Sequence, residues 1–146
     1  MKIIIASDHR GFDRKIKIFK FLLGKGYDVD DYGTNSIESV DYPEYAFKVA
    51  QSIKNMEADL GILICGTGIG MSIAANRIKG VRCAKIDSIN DARLSKEHNN
   101  ANVLAISANK SMRQIKKMLE AYFNSEVNTD IKYQRRNDML DNYNEN

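Results

Sequence analysis

The stretch ADLGILICGTGIGMSIAANR, residues 58–77, decides the fold. Its apolar run, residues 60–64, stops at Cys65, and glycines then occupy alternate positions as far as Gly70. Apolar side chains return at helical spacing, at Ile69, Ile73 and Ala74. This pattern predicts a buried strand, a tight turn and a helix with an apolar stripe.

Cys65 stands beside a turn that is suited to hold negative charge. Glycines at alternate positions let backbone N–H groups crowd around one point, and the following helix directs its positive end there. Such a place favours the reactive thiolate form of a cysteine. A cysteine at a strand end is often only a small core residue, and a glycine turn often only connects a strand to a helix. The combination of the two favours a functional Cys65.

Three better-known anion-binding motifs fail on spacing. A dinucleotide fingerprint that began at Gly66 would need its third glycine where Met71 stands. A phosphate-binding loop that began at Gly61 would need a lysine where Thr67 stands. A cysteine phosphatase loop would need an arginine at Met71. An anion-stabilising turn beside a thiol therefore remains.

Length and composition indicate one globular domain, residues 1–146, with 43% hydrophobic and 28% charged residues. A net charge of +3 is too small to argue for nucleic acid, and no apolar run approaches the ~18 residues of a membrane span. Two cysteines without an export signal predict reduced thiols in the cytoplasm. With two histidines, they offer no metal-ligand spacing, so we expect no metal.

Strand and helix patterns alternate five times along the chain. The predicted strands are residues 2–6, 27–31, 60–64, 81–86 and 102–107. We therefore expect a doubly wound α/β fold of three layers, a parallel sheet in the order 2-1-3-4-5 with helices on both faces. In the first helix Lys15, Lys17 and Lys20 are expected mostly on the solvent side. Asp41 and Glu44 are spaced like a capping box at the start of the second helix.

The polar tail, residues 124–146, contains a basic cluster at Lys132, Arg135 and Arg136. By itself this pattern predicts a solvated face or a frayed end.

The expected topology brings three side chains together. In open α/β sheets, ligands bind at the carboxyl ends of the strands where the strand order reverses, here between the first and third strands. Asp8 and His9 follow the first strand, so they should lie beside Cys65. A thiolate, a carboxylate, an imidazole and an anion-binding turn suit proton abstraction next to a carbonyl. One base that returns the proton to the neighbouring carbon would isomerise an aldose to a ketose without a cofactor.

The segments SDHRG, DYPEYA, ILICGTGIGMSIAANRIKGVRC and LSKEHNNANVLAIS occur in that order. They resemble the type B ribose-5-phosphate isomerases, whose superfamily includes the galactose-6-phosphate isomerase subunits. The resemblance extends from Met1 to about Asp138. It implies a cofactor-free and metal-free enzyme of the pentose phosphate pathway that interconverts ribose 5-phosphate and ribulose 5-phosphate. It further implies a homodimer or tetramer whose active site is shared between subunits.

The resemblance also implies roles for residues. Cys65 would move the proton between carbon 2 and carbon 1, with Thr67 bonded to the thiol or to a substrate oxygen, and Met71 fits the cysteine branch of the family. His98 and Asp8 would open the sugar ring. The implied substrate-binding residues are Asp8, His9, Tyr42, Gly66, Thr67, Gly68, Ile69, Gly70, Asn99, Asn109, Lys132 and Arg136.

Two of these positions depart from the family pattern. An arginine is usual where Asn109 stands, although Lys110 is adjacent, and the usual Arg-His pair appears as Lys132-Tyr133. Lysine binds phosphate without the two-pronged geometry of arginine. Affinity or substrate preference should therefore differ from the family pattern.

His98 directly precedes the fifth strand, so in its own subunit it should lie at the edge opposite Cys65. We hypothesise that His98 and the tail cations complete the site of a neighbouring subunit, on which the tail packs. Three other functions remain open: an isomerase of allose or galactose 6-phosphate, a non-catalytic sugar-phosphate sensor, and a thiol redox protein. The last lacks a second nearby cysteine.

Overall fold

The computed structural model describes residues 1–144, which form one α/β domain with a five-stranded parallel sheet. The strands are β1 (Lys2–Ser7), β2 (Asp28–Asp31), β3 (Leu60–Cys65), β4 (Cys83–Lys85) and β5 (Val103–Ser107). The helices are α1 (Phe12–Gly24), α2 (Tyr42–Lys54), α3 (Ile69–Ala75), α4 (Ile89–Glu97), α5 (Met112–Phe123) and α6 (Ile131–Asp141). The predicted fold class and all five predicted strands are confirmed. No helix in the described part of the chain is long and apolar enough to cross a membrane.

The strand order is β2-β1-β3-β5-β4, so the predicted order 2-1-3-4-5 is wrong in its last two strands. All five residues of β5 are buried, whereas the three residues of β4 are only half-buried. A strand inside a parallel sheet is covered on both faces and needs a continuous apolar run, which VLAIS offers and CAK does not. As a result β5 pairs with β3, and Ser107 stands opposite Cys65.

The core lies in two layers, one on each face of the sheet. On one face α1, α4 and α5 pack against the strands through residues such as Ile18, Leu22, Ala92, Ile115 and Leu119. On the other face α2 and α3 pack through Ala46, Val49, Ala50, Met71 and Ala75. This arrangement confirms the prediction of a doubly wound fold with three layers.

Lys15 is fully buried, contrary to the prediction that it faces solvent. Its Nζ lies 2.7 and 2.9 Å from the two carboxylate oxygens of Asp31 and 2.5 Å from the carbonyl oxygen of Thr34. A buried ammonium group is stable only when its donors are satisfied in this way. Lys15 therefore ties α1 to the end of β2 and to the segment that follows it.

The first turns of α2 and α3 also differ from the predictions. Asp41 is the N-cap of α2 but makes no side-chain capping bond, so the predicted capping box is absent. In α3, Ile69 and Ile73 are 52% and 59% exposed, because this short helix turns Met71 and Ala75 towards the sheet instead. The predicted apolar stripe of α3 therefore lies mostly on its outer side.

The tail contains a helix on which Lys132, Arg135 and Arg136 are exposed, so of the two predicted alternatives the solvated face is present and the frayed end is not, as far as residue 144. The side chain of Asp130 caps α6 by accepting a bond from the N–H of Lys132. Asp141 forms an ion pair with Arg82, and Asn137, only 8% exposed, donates to the carbonyl oxygen of His98. In this chain α6 is thus held against α4 and the segment that leads into β4. The last two residues of the predicted tail lie outside the described part.

Candidate active site

The turn after β3 directs a backbone donor at the Cys65 thiol. The N–H of Gly68 points at the sulfur, 3.2 Å from Sγ. Gly68 has a φ of +80°, which an L side chain adopts only with strain. The sequence predicted the thiol at the rim of the turn, but Cys65 is only 5% exposed and the thiol therefore lies deeper. Sulfur and amide donors are nevertheless combined as predicted.

Thr67 uses its hydroxyl within the turn rather than on the thiol. Its Oγ1 accepts a hydrogen bond of 3.2 Å from the N–H of Ile69. Because a hydroxyl also carries one proton, Thr67 keeps a donor for a ligand oxygen. The free hydroxyl proton of Thr67 is available for either of the two roles that the sequence left open, a bond to the thiol or a bond to a substrate oxygen.

Two side chains from other parts of the chain, one from the start of α2 and one from the loop after β1, lie against the glycines of the turn. A Cβ atom on Gly70 would stand 2.6 Å from Cζ of Tyr42, so the tyrosine ring covers the first turn of α3. A Cβ atom on Gly66 would stand 3.2 Å from Cδ of Arg10. Tyr42 was a predicted site residue, whereas Arg10 was not. A side chain at Gly70 would clash with the tyrosine ring, whereas one at Gly66 would require only a small shift of the arginine.

Asp8 and His9 enter the same region from the end of β1. The N–H of Asp8 donates to the carbonyl oxygen of Ile64, and Asp8 Oδ1 accepts from the N–H of Gly11. His9 accepts a 3.2 Å bond at Nδ1 from the N–H of Val40. A neutral imidazole that accepts at Nδ1 carries its proton on Nε2. The predicted convergence of these two loops on Cys65 is therefore present in the backbone.

A third loop, residues 107–110, reaches the site because β5 is next to β3. Ser107 Oγ donates to the carbonyl oxygen of Gly66 at 2.7 Å, and the N–H of Ala108 donates to that of Cys65 at 2.9 Å. Asn109 follows directly, its N–H bonded to Ser107 Oγ. The predicted strand order placed β4 next to β3 and therefore did not allow this contact. Ser107 supports the turn after β3, and the sequence did not single it out. Its position directly after a fully apolar run was the only sequence signal for this role.

His98 and Asn99 belong to a separate group of side chains. His98 stacks on Tyr133 of α6, with ring centroids 4.3 Å apart, and Asn99 Nδ2 lies 3.4 Å from Oδ1 of Asn137. Lys132 and Arg136 are on the same helix. His98 is the C-cap of α4, and the chain runs from there to the start of β5. Cys65, in contrast, pairs with Ser107, the last residue of β5. The first and last residues of β5 are four residues apart, so His98 and Cys65 lie at heights along the strands that differ by about 13 Å. Within one chain, the predicted site residues therefore form two separate groups.

The second cysteine, Cys83, lies outside both groups. Burial raises the pKa of its thiol to about 12, so it stays protonated near neutral pH. It lines a cavity of about 470 Å³ together with Asn76, Arg82, Asn99 and Leu140. That cavity is next to the edge strand β4 and does not include Cys65. Within residues 1–144, no group of three or more His, Cys, Asp and Glu side chains could hold a metal ion.

Fold and turn together define a doubly wound α/β protein with a backbone N–H directed at a buried thiol. A family model described as Ribose/Galactose Isomerase matches residues 3–140, and this chain belongs to that family. Ribose-5-phosphate isomerase B of Escherichia coli K12 is 44% identical over 118 residues, which are 81% of this chain and 79% of that protein.

Two solved structures are similar over nearly their whole length. The ribose 5-phosphate isomerase of Thermotoga maritima is 46% identical with a TM-score of 0.93, covering 97% of this chain and 98% of that one. Ribose-5-phosphate isomerase B of Mycoplasma genitalium, solved with bound ribulose-5-phosphate, is 40% identical with a TM-score of 0.91, covering 97% and 95%.

Proposed function

We propose that this protein is an aldose–ketose isomerase that interconverts ribose 5-phosphate and ribulose 5-phosphate. The observation that carries the proposal is the Cys65 thiol with the Gly68 N–H directed at its sulfur, in a chain 44% identical to an isomerase of that name. Both cysteines are free, which supports work in a reducing compartment such as the cytoplasm.

In the proposed mechanism Cys65 acts as the base. Its thiolate takes the proton from carbon 2 of the open-chain aldose, and the electron pair moves to form a cis-enediolate whose oxygen becomes negative. The N–H groups of residues 66–70 stabilise that oxygen. The proton of the hydroxyl on carbon 2 passes to the negative oxygen on carbon 1, and the thiol returns its proton to carbon 1. The carbonyl is then left at carbon 2, and Cys65 is again a thiolate. Donors already fixed by the turn need no rearrangement during the step.

The remaining predicted residues receive binding and ring-opening roles in the same proposal. His98 moves the proton that opens the furanose ring, with help from Asp8, and Asn99 contacts the sugar. His9 presents Nε2–H towards the substrate because Val40 occupies Nδ1. The substrate contacts proposed for the sugar and its phosphate are Tyr42, Gly66, Thr67, Gly68, Ile69, Gly70, Asn109, Lys132 and Arg136.

We further propose that two copies of the chain share each active site. Within one chain His98 and Cys65 stand at different levels of the sheet, so a second copy is needed to bring them together. Ile69, Ile73 and Phe47 are 52%, 59% and 41% exposed on α2 and α3, which gives an apolar face that a second copy could cover. The minimal active unit is then a dimer, alone or within a tetramer.

Mixing two inactive variants tests the shared site. Cys65→Ala and His98→Ala chains should each be inactive, whereas the mixed dimer contains one intact site. With random exchange and two-fold symmetry we expect about a quarter of the wild-type activity. Mass spectrometry of differently labelled chains confirms that subunits have exchanged. No recovery after proven exchange would refute the sharing of sites.

The proposed reaction itself is tested with the wild-type protein and ribose 5-phosphate in heavy water. We expect ribulose 5-phosphate as the product, with deuterium at the carbon that receives the proton. Parallel assays with allose 6-phosphate and galactose 6-phosphate measure the six-carbon alternative, which the side chain of Asn109 favours because it leaves more room than an arginine. Turnover of a six-carbon substrate alone would replace the pentose assignment. Binding without any exchange at carbon 2 would favour a sensor.

A further inference from the structure

Arg10 lies over the turn that holds the thiol. A Cβ atom on Gly66 would stand 3.2 Å from Cδ of Arg10 and 3.6 Å from its Nη1. The guanidinium group is therefore close to the residue that follows Cys65. Gly66 favours this proximity, because a Cβ atom there would require the arginine side chain to move by a few tenths of an ångström.

The guanidinium group of Arg10 has no partner among residues 1–144. Arg10 is exposed, and it forms no hydrogen bond or ion pair through its side chain with residues 1–144. Other arginines of the chain are engaged: Arg82 pairs with Asp141, and Arg93 pairs with Glu97. All N–H donors of Arg10 are thus available to a ligand at the turn.

The cations that the sequence assigned to the phosphate lie elsewhere in this chain. Lys132 and Arg136 are on α6, with His98 and not with Cys65. In the proposed shared site they reach the substrate only from the second copy, whereas at the carboxyl edge of β3 the same chain places Arg10. A second arginine, Arg14, lies one turn further along α1, and its Nε is 3.4 Å from the carbonyl oxygen of Ala108.

The position of Arg10 matches the phosphate end of the substrate. Carbon 2 has to approach the sulfur of Cys65, which is 5% exposed and deep in the turn. Three carbons and one ester oxygen separate carbon 2 from phosphorus, so the phosphate remains near the outer surface. A guanidinium group binds phosphate through two parallel N–H bonds, and Arg10 stands at that outer surface.

We infer that Arg10 binds the phosphate group of the substrate, from the same subunit that supplies Cys65. The inference rests on the proposed function and adds a phosphate ligand that the sequence analysis did not single out. The arginine acts in binding and not in the proton transfer. It therefore contributes to substrate affinity and to the preference for phosphorylated sugars.

Arg10→Gln and Arg10→Lys test the inference, with Arg77→Gln as the matched control. Arg77 is also exposed, but it follows the end of α3 and lies away from the turn. We expect Arg10→Gln to raise the KM for ribose 5-phosphate and the inhibition constant of inorganic phosphate by about tenfold or more, as the loss of a charged hydrogen bond predicts. The kcat should change little. For Arg10→Lys both constants should fall between those of the wild type and Arg10→Gln, and for Arg77→Gln both should equal those of the wild type.

Calorimetric titration with inorganic phosphate gives a readout that does not depend on turnover. Weaker phosphate binding in Arg10→Gln supports the inference even if the wild type proves not to isomerise ribose 5-phosphate. Unchanged phosphate affinity and KM in Arg10→Gln overturn it, while isomerisation by the wild type would leave the proposed function intact. A fall in kcat at constant KM overturns it as well, because that result assigns Arg10 to the enediolate. A wild type that does not bind phosphate also overturns it.

Discussion

Replacing Cys65 with serine should lower kcat for ribose 5-phosphate by about a thousandfold, the middle of the range for loss of a positioned acid–base group. A serine hydroxyl keeps the hydrogen bond from the Gly68 N–H but is far less acidic than a thiol, so it gives no useful base near neutral pH. Steady-state kinetics measure kcat, and exchange of the carbon 2 proton with deuterated solvent measures the chemical step alone.

The matched control for this prediction is Cys83→Ser. Cys83 is on β4, and burial holds the pKa of its thiol at about 12, so it contributes no thiolate at neutral pH. We expect Cys83→Ser to keep nearly full activity. Equal activity of Cys65→Ser and the wild type would remove Cys65 from the mechanism, and the base would have to be sought at Asp8 or His9.

Replacing Lys15 with methionine should reduce the free energy of unfolding by about 3 kcal/mol, the lower end of the cost of removing one partner from a buried ion pair. Methionine fills much of the same space, but Asp31 loses its cation and the carbonyl oxygen of Thr34 loses a donor. Urea denaturation followed by circular dichroism measures the change.

Two further variants separate the ion pair from general effects of the substitution. Lys17→Met, on the exposed side of the same helix, should change the unfolding free energy by less than about 0.5 kcal/mol. The double variant Lys15→Met with Asp31→Asn should recover part of the lost stability, because it removes the uncompensated carboxylate. A loss in Lys17→Met as large as in Lys15→Met would show that the buried pair is not the cause.

Local patterns predicted most elements of this fold. The apolar run before Cys65 and the alternating glycines identified a strand, a turn and a helix, and the structure places a positive φ at Gly68. Connectivity also placed His98 correctly, because a helix that leads into a parallel strand ends at the amino edge of the sheet. These inferences depend on nearest neighbours in the chain, which the sequence contains.

The errors depend on contacts between distant residues. The exchange of β4 and β5 follows from competition for a central position, and both arrangements satisfy the local patterns. Lys15 was assigned to solvent because hydropathy treats every lysine as polar, whereas Asp31, sixteen residues later, makes its burial possible. Ser107 and Arg10 were missed for the same reason, since each meets the turn only after the strands are paired.

Neither edge strand of the sheet is suited to pairing with a further strand. On one side the border is β4, with three residues of sequence CAK, and on the other it is β2, with four residues of sequence DVDD. A short border strand that carries charges resists pairing with strands of another molecule. Copies of this chain should therefore not join through a continuous intermolecular sheet, and the protein should resist fibre formation by edge-to-edge addition.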